Sequence, residues 1–126
     1  ILASRIGRHE DAYTYFAQSA RMDLDDYHDN FYAGIHAANM AGTWQSIVFG
    51  FAGLRLVDDV PEFKFSIPAE WKGYHFTVKI RGSVLAVDVL PDGWTITLQS
   101  GDAVNFLVEG KPYKLTEKGA TCHEAL

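Results

Sequence analysis

The stretch NFYAGIHAANMAGTWQSIVFGFAGL, residues 30–54, contains no Asp, Glu, Lys or Arg in a chain that is 21% charged. Drawn as a helix, it places large apolar residues on several faces. Such a helix is either buried in a large protein or crosses a membrane. Polar residues through its middle, among them His36, Asn39 and Gln45, disfavour a membrane span. The stretch therefore predicts one buried helix.

Small residues follow one side of this predicted helix. They recur at every fourth position, at Gly34, Ala38, Gly42, Ser46 and Gly50. Residues four apart lie on the same side of a helix, so this spacing draws a smooth stripe where a neighbouring backbone can approach closely. We expect a neighbouring helix to lie against Ala38 and Gly42.

The rest of the chain divides at about residue 57. A helix is predicted over residues 8–22, and residues 55–60 look like a connector. Short runs that are apolar at every second residue follow, with turn sequences between several of them, and this is the pattern of half-buried antiparallel strands. The runs are residues 63–67, 74–80, 85–89, 94–98 and 104–108. The predicted fold class is α+β, with helices over 1–57 and a small two-layered, jelly-roll-like antiparallel β-sandwich over 58–126.

One further helix and one sheet cannot cover every face of an all-apolar helix. We therefore expect residues 1–54 to be the last helices of a larger all-α domain. The chain begins at Ile1 without a Met, and we expect it to be a piece of a longer protein.

Composition excludes several classes of function. The net charge is −5 and Lys and Arg form no cluster, which argues against a nucleic-acid phosphate binder. A single cysteine, Cys122, rules out an internal disulfide and a multi-cysteine metal site. The sequence shows no targeting segment, and a reducing, cytoplasmic location fits.

The acidic stretch DLDDYHDN, residues 23–30, has two interpretations. Several carboxylates could hold a hard cation, but the central Gly and terminal Glu of a calcium loop are missing. The favoured interpretation is a loop whose Asp side chains accept backbone N–H bonds and cap the next helix. His9, His28, His75 and His123 share no metal-ligand spacing, so no metal site is predicted.

The chemical signal is Ala33-Gly34-Ile35-His36 at the start of the apolar stretch. A helix N-terminus offers unpaired N–H groups and positive dipole character, and Gly34 lets a ligand approach the backbone. His36 adds a titratable donor, so the pattern suits phosphate or carboxylate. A lone histidine there is more often a hydrogen-bonded core residue, and both interpretations stand on the residues alone.

Several motifs occur in an order that resembles the C-terminal end of glycoside hydrolase family 65. They are RMDLDD at 21–26, GIH at 34–36, MAGTW at 40–44, GFAGLR at 50–55 and PAEWKG at 68–73. The family contains inverting disaccharide phosphorylases, and the sequence looks most like those that act on maltose. The resemblance implies a parent with an N-terminal β-sandwich, a linker, an (α/α)6 barrel and a C-terminal two-layered β domain. This chain would supply the end of the barrel and the last domain.

In such enzymes a Glu acid protonates the glycosidic oxygen while phosphate attacks the anomeric carbon, so that maltose gives β-glucose 1-phosphate and glucose. The resemblance implies that His36, beside Gly34, helps to hold the phosphate, which is a co-substrate; no cofactor is expected. No Glu of this chain lies in the motif of the catalytic acid, so no catalytic residue is assigned. The chain alone should be inactive. The expected partners are the disaccharide, phosphate and the rest of the barrel, with a homodimer as a further candidate assembly and with no nucleic acid or membrane.

Other functions remain open for the parent enzyme and for the predicted β-sandwich over 58–126. The parent could be a trehalose or kojibiose phosphorylase, or a hydrolase, of the same family. The β part could be a carbohydrate-binding module that uses Trp71, Tyr74 and Trp94 as platforms, or a purely structural cap on the barrel. Two coplanar, solvent-facing tryptophan rings would favour sugar binding, and buried rings would favour the cap.

Overall fold

The computed structural model describes residues 1–26, 29 and 31–126, with the side chain of residue 31 left out. It confirms an α+β fold, with helices in the first half and two sheets in the second. The helices are α1 (Leu2–Arg5), α2 (His9–Ala20), α3 (Met22–Asp25) and α4 (Ala37–Gln45), with a 3₁₀ turn at Phe31–Ala33 and a π-helix at Ser46–Phe51. No helix in the described ranges is long and apolar enough to cross a bilayer.

The prediction of one helix over residues 30–54 is wrong at both ends. Residue 30 lies outside the described residues, and α4 begins only at Ala37, because Gly34 has a φ of +99° and the N–H of His36 donates to the Asp23 carboxylate at 3.0 Å. Inside a regular helix, φ is negative and each N–H donates to the carbonyl oxygen four residues earlier, so neither residue is helical. At the other end the chain widens into the π-helix, where the Ala52 N–H donates to the Ile47 carbonyl oxygen at 2.8 Å.

The apolar stretch is buried only where it approaches the sheets. Val48, Phe51 and Ala52 are buried at the π-helix, whereas Met40 and Trp44 in α4 are 52% and 45% exposed. A helix that is apolar on faces open to solvent lacks the neighbours that such a surface normally packs against. The exposed side of α4 is therefore an apolar surface that the described residues leave uncovered.

The stripe of small residues has no close neighbour within the described chain at its centre. A Cβ placed on Gly42 would have nothing within 4 Å, and Ala38 is exposed. A Cβ on Gly50 would lie 3.5 Å from the Cα of Ile1. Among the three glycines of the stripe, Gly50 alone thus has a close neighbour in the described residues, and this neighbour precedes α1. The expected helix against Ala38 and Gly42 is absent from the described part of this chain.

The second half forms two four-stranded sheets from the described residues. One sheet has the order β1-β2-β6-β7 and the other β3-β4-β5-β8, and all neighbours are antiparallel except β2 and β6. The strands are β1 (Arg55–Val57), β2 (Val60–Phe63), β3 (Tyr74–Ile80), β4 (Ser83–Leu90), β5 (Gly93–Ser100), β6 (Val104–Val108), β7 (Lys111–Leu115) and β8 (Thr121–Glu124).

The predicted connector at residues 55–60 is instead a hairpin. Arg55 pairs with Glu62 and Val57 with Val60, and the turn residues Asp58 and Asp59 both have positive φ. Two successive residues with positive φ are typical of the tight turn that joins antiparallel strands, and Asp tolerates this region better than most residues. The short strand went unpredicted because it carries only three residues and one exposed apolar side chain, Leu56.

The core lies between the two sheets and continues to the end of the π-helix. Alternate residues of the central strands are fully buried, as the period of two predicts. Its largest fully buried side chains are Phe63, Phe106, Leu85, Ile96, Leu98 and Leu115. The sandwich is thus a packed domain on which the helical half rests.

Candidate functional site

The candidate site is built where the turn before α4 meets α3. Asp23 lies in α3, and both of its carboxylate oxygens contact His36. Oδ2 accepts from the backbone N–H of His36 at 3.0 Å, and Oδ1 contacts the ring Nδ1 of His36. His36 is the residue that caps α4, with φ −88° and ψ 81°, and its carbonyl oxygen accepts from the N–H of Asn39 and Met40. Asp23 therefore fixes both the backbone and the ring of His36.

His36 and Gly34 were both predicted to lie in the first turn of a helix, and the structure places them just before it. Gly34 is exposed, and its φ of +99° lies in the region that L side chains avoid. A Cβ there would meet no atom within 4 Å, so the backbone conformation, not space, requires glycine. The bend it makes brings His36 back towards α3.

The contact with His36 lowers the pKa of the Asp23 carboxyl below its usual 3.8. The hydrogen bond from the imidazole is the largest cause, and the bond from the backbone N–H of His36 is the second. Both favour the ionised carboxylate. Near neutral pH, His36 thus faces a negative charge at Nδ1, and this nitrogen carries the proton of the shared hydrogen bond.

This arrangement suits an anion at the start of α4. Ala37 and Ala38 are exposed, and their N–H groups precede the first intrahelical bond, which Asn39 makes to His36. The imidazole can add a donor through Nε2 when both ring nitrogens are protonated. The local positive character of the helix start would then act together with a cationic ring.

The start of α4 is also tied to the helix that precedes the site. Ser19 Oγ donates to Asn39 Oδ1 at 2.6 Å, and Asn39 Nδ2 donates back to the Ser19 carbonyl oxygen. This reciprocal pair joins the end of α2 to the first turn of α4. The site is therefore held from two sides, by Asp23 at His36 and by Ser19 at Asn39.

In the described residues, the acidic stretch at 23–30 contributes an acceptor for the backbone at the start of α4. Asp23 accepts a backbone N–H, as the favoured interpretation expected, although it does so from a helical turn and not a loop. Arg21 holds Asp25 at 2.6 Å. The described residues contain no group of three or more His, Cys, Asp and Glu side chains placed to hold a metal ion. Residues 27, 28 and 30 of the stretch lie outside the residues that the structure describes.

Sequence reasoning singled out His36 and Gly34 but did not predict the contact of Asp23 with His36. A carboxylate thirteen residues away in sequence reaches His36 only because the chain reverses between α3 and α4. The general capping tendency of Asp was readable from the sequence, but its partner was not. No periodicity or spacing could have identified the pair.

The aromatic residues proposed as a sugar platform are packed into the fold. Trp94 is 4% exposed, and Trp71 makes edge-on contacts with Phe16 and Phe51 at 5.0 Å between ring centroids. Neither arrangement leaves two coplanar rings facing solvent. The geometry favours the structural cap over a carbohydrate-binding module.

Comparisons with known proteins match the chain in two adjoining parts. Residues 1–45 match the family described as "Glycosyl hydrolase family 65 central catalytic domain". Residues 54–115 match "Glycosyl hydrolase family 65, C-terminal domain". The junction between the two matches falls in residues 46–53, which include the π-helix. The predicted division of the chain into 1–57 and 58–126 stays a prediction.

Several curated phosphorylases are similar over nearly the whole chain. The chain is 39% identical to an alpha,alpha-trehalose phosphorylase of Geobacillus stearothermophilus over 93% of its length, and 41% identical to that of Thermoanaerobacter brockii over 94%. It is 31% identical to the maltose phosphorylase of Bacillus subtilis over 91%. In each case the chain spans about 15% of the relative's length.

A solved structure shows the same fold. A putative kojibiose phosphorylase from the human microbiome superposes with a TM-score of 0.89 and 32% identity, covering 98% of this chain and 17% of that one. The resemblance to maltose phosphorylases expected from the motifs is therefore found only at the level of the family. The trehalose phosphorylases of Geobacillus stearothermophilus and Thermoanaerobacter brockii match at higher identity than the maltose phosphorylase of Bacillus subtilis does.

Proposed function

Since the chain belongs to glycosyl hydrolase family 65, we propose that it is the C-terminal part of an inverting disaccharide phosphorylase. The observation that carries this proposal is the pairing of His36 with Asp23 at the start of α4, beside the exposed Gly34. These groups form one wall of a site for inorganic phosphate. The β-sandwich acts as a structural cap on the catalytic barrel.

In the proposed reaction, phosphate is the nucleophile that displaces one sugar from the other. His36 donates from Nε2 to a phosphate oxygen, and the N–H groups at the start of α4 face the same anion. Holding the nucleophile in place lowers the entropic part of the barrier. The general acid that protonates the leaving sugar comes from another segment of the parent enzyme, because no Glu of this chain is assigned to that role.

For the substrate, we propose α,α-trehalose as the first candidate and kojibiose as the second. The identities of 39% and 41% to trehalose phosphorylases, and 35% to a kojibiose phosphorylase of Caldanaerobacter subterraneus, exceed the 31% to a maltose phosphorylase. The test is to incubate the full-length enzyme with each disaccharide and phosphate and to measure glucose 1-phosphate. Release from maltose alone would contradict this choice.

The phosphate assignment is tested by replacing His36 with Ala in the full-length enzyme. We expect the KM for phosphate to rise or kcat to fall, while the KM for the disaccharide changes little, because the lost contact is with the attacking anion. His75→Ala is the matched control, since His75 also pairs through Nδ1 with an aspartate, Asp88, at 2.7 Å on the sandwich. Unchanged phosphate dependence in His36→Ala would sink the assignment.

A further inference from the structure

We propose that Asp23 is a positioning residue for phosphate in the parent enzyme, acting only through His36. This inference rests on the proposed phosphate role of His36 and adds a residue to it. The observation behind it is that one carboxylate bonds both the backbone N–H and the ring Nδ1 of the same histidine. Two bonds to one residue fix the ring's tautomer and its position together.

The backbone bond decides where α4 starts. In a continuous helix, the N–H of His36 would donate to the carbonyl oxygen four residues earlier, but here it donates to Asp23 Oδ2 at 3.0 Å. His36 can therefore leave the helical conformation and act as the cap, with its carbonyl oxygen accepting from Asn39 at 2.9 Å. Without this bond, the half-buried N–H of His36 would lose Asp23 as its acceptor.

The ring bond decides which nitrogen addresses the anion. A carboxylate accepts and cannot donate, so the imidazole nitrogen that faces Asp23 must carry a proton. Nε2, at the other edge of the ring, can donate to phosphate only when it carries a proton as well, so the donating form is the imidazolium, whose charge the Asp23 carboxylate balances. Loss of the carboxylate would leave the cationic ring without its balancing charge and would let the ring turn to other rotamers.

Asp23 is suited to this role by its location. Its side chain is 21% exposed and that of His36 is 33% exposed, so the pair is partly shielded from competing water. α3, which carries Asp23, follows α2 directly, and α2 is joined to α4 through Ser19 and Asn39. The carboxylate is thus held on the same assembly of helices as the histidine it orients.

The test is a double-mutant cycle in the full-length enzyme with the substitutions Asp23→Asn and His36→Ala. Asn is nearly the same size but carries no charge. We expect Asp23→Asn to raise the KM for phosphate about tenfold, the scale on which carboxylate partners of metal-binding histidines act. The KM for the disaccharide should stay within about twofold, because the proposed contact of His36 is with phosphate. Added to His36→Ala, Asp23→Asn should have no further effect on phosphate.

A spectroscopic measurement separates orientation from folding. In wild-type enzyme, the ¹⁵N shifts of the His36 ring should show a proton on Nδ1, the nitrogen that contacts Asp23, and in Asp23→Asn a share of the tautomer without that proton should appear. Asp88→Asn, which removes the carboxylate of the other histidine pair, is the matched control and should leave phosphate kinetics unchanged.

The outcomes distinguish this inference from the proposed function. If His36→Ala leaves phosphate dependence unchanged, the phosphate role itself fails. If His36→Ala impairs phosphate use but Asp23→Asn leaves both the KM for phosphate and the ring tautomer unchanged, only the role of Asp23 fails. An effect of Asp23→Asn that is equally large in the His36→Ala background would show that Asp23 acts by another route and would overturn the inference.

Discussion

Phe16 in α2 and Trp71 in the segment before β3 lie edge to face, with ring centroids 5.0 Å apart and planes at 77°. Phe51 of the π-helix contacts both rings, at 5.6 Å and 5.0 Å. This trio joins the helical half to the β-sandwich, and edge-to-face pairs contribute beyond their buried area. The two halves that match different family domains are therefore packed together through aromatic rings.

Replacing Phe16 with Ala should destabilise the chain by about 2 kcal/mol, less than the 3–5 kcal/mol typical of a fully buried Phe because Phe16 is only half-buried. The control is Tyr15→Ala, since Tyr15 is the next residue of α2 and is 63% exposed. That change should stay within about 0.5 kcal/mol. Urea unfolding followed by tryptophan fluorescence measures both. Equal effects would mean that the aromatic trio does not join the halves.

The carboxyl of Asp23 should titrate below 3.8, since the His36 ring and backbone N–H both stabilise its charged form. A group with a lowered folded-state pKa contributes stability above its unfolded value, and the contribution is lost as the pH falls through the folded value. The Asp23 contribution should therefore be complete above pH 3.8 and disappear in more acidic solution. ¹³C NMR of the carboxyl measures the pKa, which should return towards 3.8 in His36→Ala. No change on removing the histidine would contradict the pairing.

Substitutions at Gly42 test whether a barrel helix of the parent enzyme packs against α4. In this chain, Gly42→Ala should stabilise α4 by up to about 1 kcal/mol, because a Cβ there meets nothing within 4 Å and Ala favours helix. In the full-length enzyme, Gly42→Leu should instead cost about 1–3 kcal/mol if a barrel helix packs against this face. Thermal unfolding of both proteins gives the comparison.

The control for Gly42 is Gly53→Ala. Gly53 has a φ of +63°, and a Cβ there would lie 2.6 Å from the Lys64 carbonyl oxygen, so Ala should destabilise the chain and the full enzyme alike. If Gly42→Leu is tolerated in the full-length enzyme, then no helix lies against the stripe there either.

The chain expressed alone should not release glucose 1-phosphate from trehalose, kojibiose or maltose with phosphate, because none of its Glu residues is assigned as the general acid. It should also associate, since the apolar side chains of Ile35 and Met40 are 70% and 52% exposed. Light scattering should report species larger than 14.0 kDa. The double substitution Ile35→Lys and Met40→Lys should shift the population towards monomer. A wild-type monomer at high concentration, or measurable turnover, would count against this prediction.

The sequence by itself determined the elements whose signal is local. Alternation at period two predicted β3, β4, β5 and β6, because a strand buried on one face must alternate. The helical spacing at residues 8–22 predicted α2, which the structure gives as His9–Ala20. The ordered motifs identified the family, and Gly34 and His36 stood out because glycine and histidine have chemistry that other residues lack.

Features that depend on residues far apart in the chain were visible only in the folded molecule. Asp23 meets His36 because α3 and the turn before α4 fold back on each other, and that contact, with the bend at Gly34, moves the helix start to Ala37. The parallel pairing of β2 with β6 joins strands more than forty residues apart. The hydrophobic pattern of a single element states which face is buried, but it does not state what lies against that face. The site therefore could not be completed from the sequence, because its second residue is set by packing between elements.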